Sequence, residues 1–205
     1  MFAQTPAPAS NAALMNPASL KEQAPAKFKA KFTTTKGDFV VEVTRAWAPR
    51  GADRFYNLVK SGFFTDAAFF RYHPGFIVQF GMPADPKVGR AWNNANIQDD
   101  PMKHSNTEGT VVFANGGANT RTTQLFINLA DNTRQLDAPI QVGFSPFGEV
   151  VQGMDVVKKL YSGYGELPSM GGSGPDPNRI GAEGKAYLDK NFPKLDSIKS
   201  ATVLP

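Results

Sequence analysis

The chain has 205 residues, 41% hydrophobic and 20% charged, which excludes wholesale disorder and suits one domain with a core of its own. No apolar run approaches the ~18–20 residues of a membrane span, and zero cysteines exclude disulfides, thiolate metal sites and a cysteine nucleophile. Two histidines leave little for imidazole chemistry or a metal site, and the net charge of +4 comes from scattered Lys and Arg, so no nucleic-acid footprint is expected.

Residues 1–26 carry four prolines and eight alanines with no apolar period, and are expected to form a flexible, dispensable tail. Its run from Ala3 to Ser10 resembles the start of a mature exported protein. That gives a periplasmic or secreted location as the expectation, with the cytoplasm as the alternative. The folded domain is expected over 27–205. Phe28, Ala30 and Phe32 alternate with lysines, Lys36-Gly37-Asp38 turns the chain, and Phe39, Val41 and Val43 repeat the alternation, which is a hairpin. Pro49, then Phe55, Leu58 and Val59 on one face, then Gly62 mark a helix over about 49–61. Short strand-like runs follow at 68–72, 76–81, 110–114, 124–129 and 147–151. Helices fit 153–161 and, beyond a Gly/Pro/Ser loop, about 179–192; a last strand fits Ile198–Leu204. Many short strands and few helices point to an antiparallel barrel or sandwich.

Nucleophile, phosphate-binding, zinc and dinucleotide motifs are missing. Asp99-Asp100 reads as a solvated loop, His104 as an exposed bystander and His73 as a packing or turn residue. Gly116-Gly117 reads as a tight connection. FFRYHPGFIVQFG, residues 69–81, is unlike ordinary core because Arg71 stands alone in an aromatic run. A buried arginine needs a partner. Gln79, across the Pro74-Gly75 turn, could supply one. Arg71 is then either an edge-strand charge packed by its stem or a fixed donor on the rim of an apolar pocket.

That segment resembles a signature of the cyclophilins, the barrel-type peptidyl-prolyl cis–trans isomerases. FANGGANTRTTQLFINL at 113–129 and FGEVVQGMDVV at 147–157 resemble two further blocks of the family, in the same order. The resemblance implies a mainly β fold: a closed, antiparallel, eight-stranded barrel capped by two helices, with an extra helix in an insertion at about 162–195. It places Arg71 and Gln79 on the catalytic positions, and Phe76, Ile77, Ala114, Asn115, Gln124, Phe126 and Leu136 on substrate-binding ones. Phe144 is the nearest candidate for a pocket-wall histidine of the family. Gln135 stands where many members have tryptophan, Phe80 and Met82 where Gly and Asp are usual, and Thr122-Thr123 replaces Gly-Ser.

Twisting an X–Pro bond breaks amide resonance against a barrier of ~18–20 kcal/mol, and needs an apolar slot, a backbone anchor and a donor, with no cofactor or metal. The implied partners are proline-containing polypeptides, met by a monomer, with weakened binding of cyclosporin-type macrocycles because of Gln135. Two rivals are a non-catalytic peptide-binding or chaperone module on the same barrel and a barrel enclosing a small apolar ligand. The 16 phenylalanines argue for a filled interior instead.

Overall fold

The computed structural model describes residues 11–137 and 144–205. Its strands are β1 (Lys27–Thr34), β2 (Asp38–Thr44), β3 (Arg71–His73), β4 (Ile77–Phe80), β5 (Thr110–Phe113), β6 (Leu125–Asn128), β7 (Gly148–Gln152) and β8 (Ile198–Val203). The helices are α1 (Asn11–Leu14), α2 (Pro49–Lys60), α3 (Pro86–Trp92), α4 (Thr133–Leu136), α5 (Met154–Lys158), α6 (Pro177–Glu183) and α7 (Lys185–Asn191). The strands form one antiparallel sheet in the order β3-β4-β6-β5-β7-β2-β1-β8. No β3–β8 ladder closes it. The sheet curls until Phe69 N donates to Asp196 O at 3.0 Å and Ile198 N to Ala67 O at 2.9 Å, with an isolated bridge between Ala68 and Ser197.

Alternation decides what each strand faces. Tyr72, Val78, Ile127 and Val111 are partners across β3, β4, β6 and β5, and all four point into the core. One residue along, Arg71, Gln79, Phe126 and Val112 are partners on the opposite face. The inner face is filled by phenylalanine: Phe32 and Phe39 stack at 4.9 Å, and Phe55 of α2 meets Phe147 at 4.9 Å. Phe80 is 1% exposed between Phe32, Phe64 and Phe69 and thickens this core without touching the outer face.

Several expectations change. Asp99-Asp100 is not a solvated loop: the Asp100 carboxylate is fully buried and accepts from Arg50 N at 3.1 Å and Gly51 N at 2.9 Å. It caps α2, whose own N-cap is Ala48 and has no side chain to offer. The same carboxylate takes Arg121 Nη2 at 3.1 Å, and Arg121 is itself wholly buried. Thus one acid satisfies a helix terminus and holds the loop before β6. His104 is not a bystander either; it stacks on Trp47 at 3.7 Å. The expected helix at 179–192 is two, α6 and α7, broken at Gly184, whose φ of +64° and 2.3 Å clearance from Ala84 O for an added Cβ admit only glycine. Helix α3 was not expected, although Asp85 accepts from Lys87 N at 2.8 Å with Pro86 in the first turn, a sequence-readable start.

Residues 1–10 of the tail expected over 1–26 lie outside the described residues; residues 12–26 are held against the domain and differ from the free segment expected there. Leu14 and Ala24 are buried, Trp92 Nε1 donates to Leu14 O at 2.8 Å, and Ala24 N donates to Asp53 Oδ1 at 2.9 Å. Asn57 Nδ2 donates to Glu22 O at 2.7 Å. Polar pairing with α2, one buried leucine and an indole hydrogen bond to its carbonyl offset an ordering cost that composition alone would not meet. A chain beginning at Pro25 should therefore melt at least ~4 °C below one beginning at Asn11, taking about 2 kcal/mol for the lost leucine and hydrogen bonds and ~2–4 °C per kcal/mol at this size. Equal melting temperatures by calorimetry would contradict the docking.

Candidate active site

Strand pairing brings Arg71 and Gln79 together, because β3 and β4 are joined by a tight turn that sets them opposite each other. Arg71 Nη1 donates to Gln79 Oε1 at 3.0 Å, and Gln79 Nε2 donates to Gln124 Oε1 at 2.9 Å. Phe126 is the next residue across the ladder from Gln79, and Ile77 shares their face two residues along β4. Ile77, Val112, Phe126 and Leu136 are buried together, with Phe76, Ala114 and Phe144 packed at their edge. The result is a slot of about 310 Å³ with Arg71 and Gln79 at one end and Ala114 and Asn115 on its rim. Gln124 lies just outside, in an adjoining recess shared with Gln79, Ala114 and Asn115. All ten residues singled out from the sequence thus converge on one face.

The apolar walls are braced from behind by amides that sequence reading missed. Asn106, Asn128 and Asn132 are all at most 1% exposed. Asn132 Nδ2 donates to Asn128 Oδ1 at 2.7 Å and to Phe76 O at 2.8 Å, and Asn106 Nδ2 donates to Phe144 O at 3.0 Å. Asn128 Nδ2 reaches Asn106 Oδ1 at 3.1 Å and Thr110 Oγ1 at 2.8 Å. The three amides fix the main chain of Phe76 and Phe144, and a fully satisfied buried network of this kind rigidifies what it touches. On the rim side, Arg54 donates to Ala95 O at 2.7 Å and Thr122 O at 2.8 Å while lying 5.1 Å from the Trp92 ring centre. Burial and the nearby Arg121 charge lower its pKa to about 10, still far above neutrality.

The partner that Arg71 demands is chiefly Glu166, which no motif pointed to. Glu166 Oε1 accepts Arg71 Nε at 2.5 Å and Oε2 accepts Nη2 at 2.9 Å, a bidentate pair with side chains 11% and 19% exposed. Exposed His73, expected to be a packing or turn residue, accepts Phe76 N at 3.0 Å across the β3–β4 turn, and its Nδ1 lies 2.9 Å from Glu166 Oε2. Glu166 comes from the insertion, and two neighbours, Leu167 and Met170, line the slot. The lone arginine was a signal that a carboxylate was needed; nothing local told which of 18 acids it would be.

Burial would raise the Glu166 carboxyl, but hydrogen bonds from Arg71, His73 and Leu167 N, with the Arg71 charge, hold it down to about 2 against an ordinary 4.5. A depressed carboxyl stabilises the fold above its unfolded value and loses that contribution as pH falls through its folded one. The melting-temperature advantage of wild type over Glu166→Gln should therefore be constant above about pH 5 and shrink below about pH 4.5. An advantage undiminished near pH 2 would contradict the pair.

Chemically, the slot offers grip and a directed donor. Among the described residues lining it there is no hydroxyl, thiol or imidazole nucleophile beside a base, and no three His, Asp or Glu side chains gather to hold a metal. The family model of cyclophilin type peptidyl-prolyl cis-trans isomerases matches residues 29–175. A peptidyl-prolyl cis-trans isomerase of Acinetobacter baylyi is 32% identical over 129 residues, 62% of this chain and 68% of its own. One from Schizosaccharomyces pombe is 32% identical over 130 residues, 62% of this chain and 81% of its own. The solved Cryptosporidium parvum cyclophilin type peptidyl-prolyl cis-trans isomerase superposes with a TM-score of 0.60 at 19% identity, covering 87% of this chain and 98% of that one. The fold, the matched span and the relatives agree: this chain belongs to the cyclophilin-type peptidyl-prolyl cis–trans isomerases.

Proposed function

We propose that this chain rotates X–Pro bonds in polypeptides, with Arg71 and Gln79 as the catalytic residues. The observation that carries the assignment is a guanidinium held by its in-register glutamine at the end of an apolar slot. Phe76, Ile77, Phe126, Leu136 and Phe144 grip the proline ring, while Ala114, Asn115 and Gln124 anchor the neighbouring backbone. As the amide twists, its nitrogen lone pair localises and its acyl group becomes ketone-like. Arg71 donates to that altered amide. Such a donor accelerates only by binding the twisted state more strongly than the planar one, and a half-dry site strengthens the contact. The dipeptide Ala-Pro accompanies a second solved structure of the Cryptosporidium parvum protein, which supports a proline ligand for this fold.

A non-catalytic peptide-binding module is disfavoured by the same geometry, since pure binding would not need the guanidinium fixed at the slot. The contacts of 66–69 with the start of β8 support the closed barrel of the family, with single hydrogen bonds and one isolated bridge in place of a ladder. The working unit is a single chain, because the slot is complete within one. Assistance to protein folding outside the cytoplasm fits the alanine- and proline-rich composition of residues 3–26.

Arg71→Ala should slow isomerisation of an X–Pro peptide about a hundredfold to a thousandfold, by analogy with the ~2.7–4 kcal/mol effect of losing one oxyanion-hole donor. Arg71→Lys should recover little, because an ammonium cannot bridge Gln79 and Glu166 in one plane. NMR exchange spectroscopy reads the rate; near-normal exchange by folded Arg71→Ala would remove Arg71 from the mechanism. Gln135, exposed on α4 next to Leu136, offers a donor but little apolar cover. Cyclosporin-type macrocycles should bind at least ~10-fold more weakly than to members with tryptophan there, and Gln135→Trp should restore much of the loss. Calorimetric titration giving equal affinity before and after the change would contradict this.

A further inference from the structure

We propose that Glu166 is a positioning residue for Arg71, and that the turn it opens makes Met170 a specificity-determining wall of the slot, favouring an apolar residue beside the proline. This rests on the isomerase reading above.

A guanidinium has five N–H donors in one plane. Here Nε and Nη2 are taken by Glu166, Nη1 donates to Gln79, and Nη2 also lies 3.3 Å from Met170 Sδ. Acceptors at opposite ends fix the plane, and the count leaves one Nη1 N–H, plus one facing a weak sulfur acceptor, for a substrate. Gln79 alone would leave the group free to turn about its own bond. Glu166 therefore converts a tethered charge into an aimed donor.

A carboxylate on a catalytic arginine could instead be a latch that must leave before substrate enters. Three features oppose that. The slot stays open, at about 310 Å³, with the pair in place. Glu166 is rooted independently of Arg71: Leu167 N donates to its Oε1 at 2.8 Å and Gly174 N to its carbonyl at 2.8 Å. The chain folds back so tightly that a Cβ on Gly172 would lie 2.0 Å from Glu166 O. Finally, Leu167 is 8% exposed in a second core with Phe70, Ile180, Tyr187 and Leu188. A segment sewn into a core does not swing.

From that fixed turn Met170 projects at the mouth of the slot, 60% exposed beside Arg71. An unbranched, polarisable thioether adapts to varied apolar neighbours. A residue flanking the bound proline would lie on it.

The test uses wild type, Glu166→Ala, Glu166→Gln and Met170→Ser with X–Pro peptide pairs that differ only by Leu or Gly beside the proline, on each side in turn. Glu166→Ala should lower kcat about tenfold at nearly constant KM, and Glu166→Gln, which keeps one acceptor, should recover part of it. Met170→Ser should cut the Leu:Gly ratio of kcat/KM about threefold or more on one side of the proline; its exposure keeps this arm independent of folding. An unchanged kcat, a higher kcat or a loss carried by KM in the Glu166 variants would overturn the positioning role. An unchanged Leu:Gly ratio would overturn the wall. A wild type inactive on every peptide would overturn the isomerase reading itself, and an active one indifferent to these changes this inference alone.

Discussion

A guanidinium cannot be taken out of water without acceptors for its protons, and this molecule is arranged around meeting that demand at Arg71 while leaving a donor to spare. Gln79 meets it from the neighbouring strand and Glu166 from the insertion. Each is held by something else: Gln79 by Gln124, Glu166 by its own turn and, through Leu167, by a separate hydrophobic core. The site is thus a point where the sheet and the C-terminal insertion are joined. The insertion also serves the fold. β3 ends the sheet, and an end strand exposes unpaired backbone; Tyr72 N reaches Gly165 O at 3.4 Å while α6 and α7 pack beside Phe70.

One register carries both stability and function. Shifting β4 by a single residue would place Gln79 in the phenylalanine core and Val78 in the slot, so the pairing that builds the core also aims the site. The second arginine centre works the same way. Asp100 caps α2 and binds buried Arg121, coupling the helix that covers the core to the loop that carries Asn115 and Gln124. Loss of either partner of that buried ion pair would strand a charge.

The hairpin, α2 and the β3–β4 pair were legible because period-2 alternation and a Pro-to-Gly frame are local signals. The ten site residues were legible mainly through family resemblance; bottom-up, Arg71 was ambiguous, since a lone charge in an apolar run shows that a partner is needed without naming it. Glu166, Asp100 and the Asn106–Asn128–Asn132 network lay beyond reach. Their partners are 95, 49 and 56 residues away, and an isolated Asp or Asn reads as loop. The split of the last helix was visible in Gly184 but outweighed by the apolar period on either side. The docking of residues 12–26 was hidden by composition, because two buried residues and a few main-chain hydrogen bonds suffice to hold a segment that has no pattern of its own.

The central claim is that Arg71 is held from two sides and stays so while it engages substrate. The most direct measurement is a nitrogen-15 NMR spectrum of the arginine side chains, free and with saturating X–Pro peptide. The account predicts a resolved, slowly exchanging Arg71 Nε–H in both states, lost in Glu166→Ala, with peptide perturbing the Nη1 signals. An Nε–H that is averaged in the free protein, or released from Glu166 when peptide binds, would contradict it.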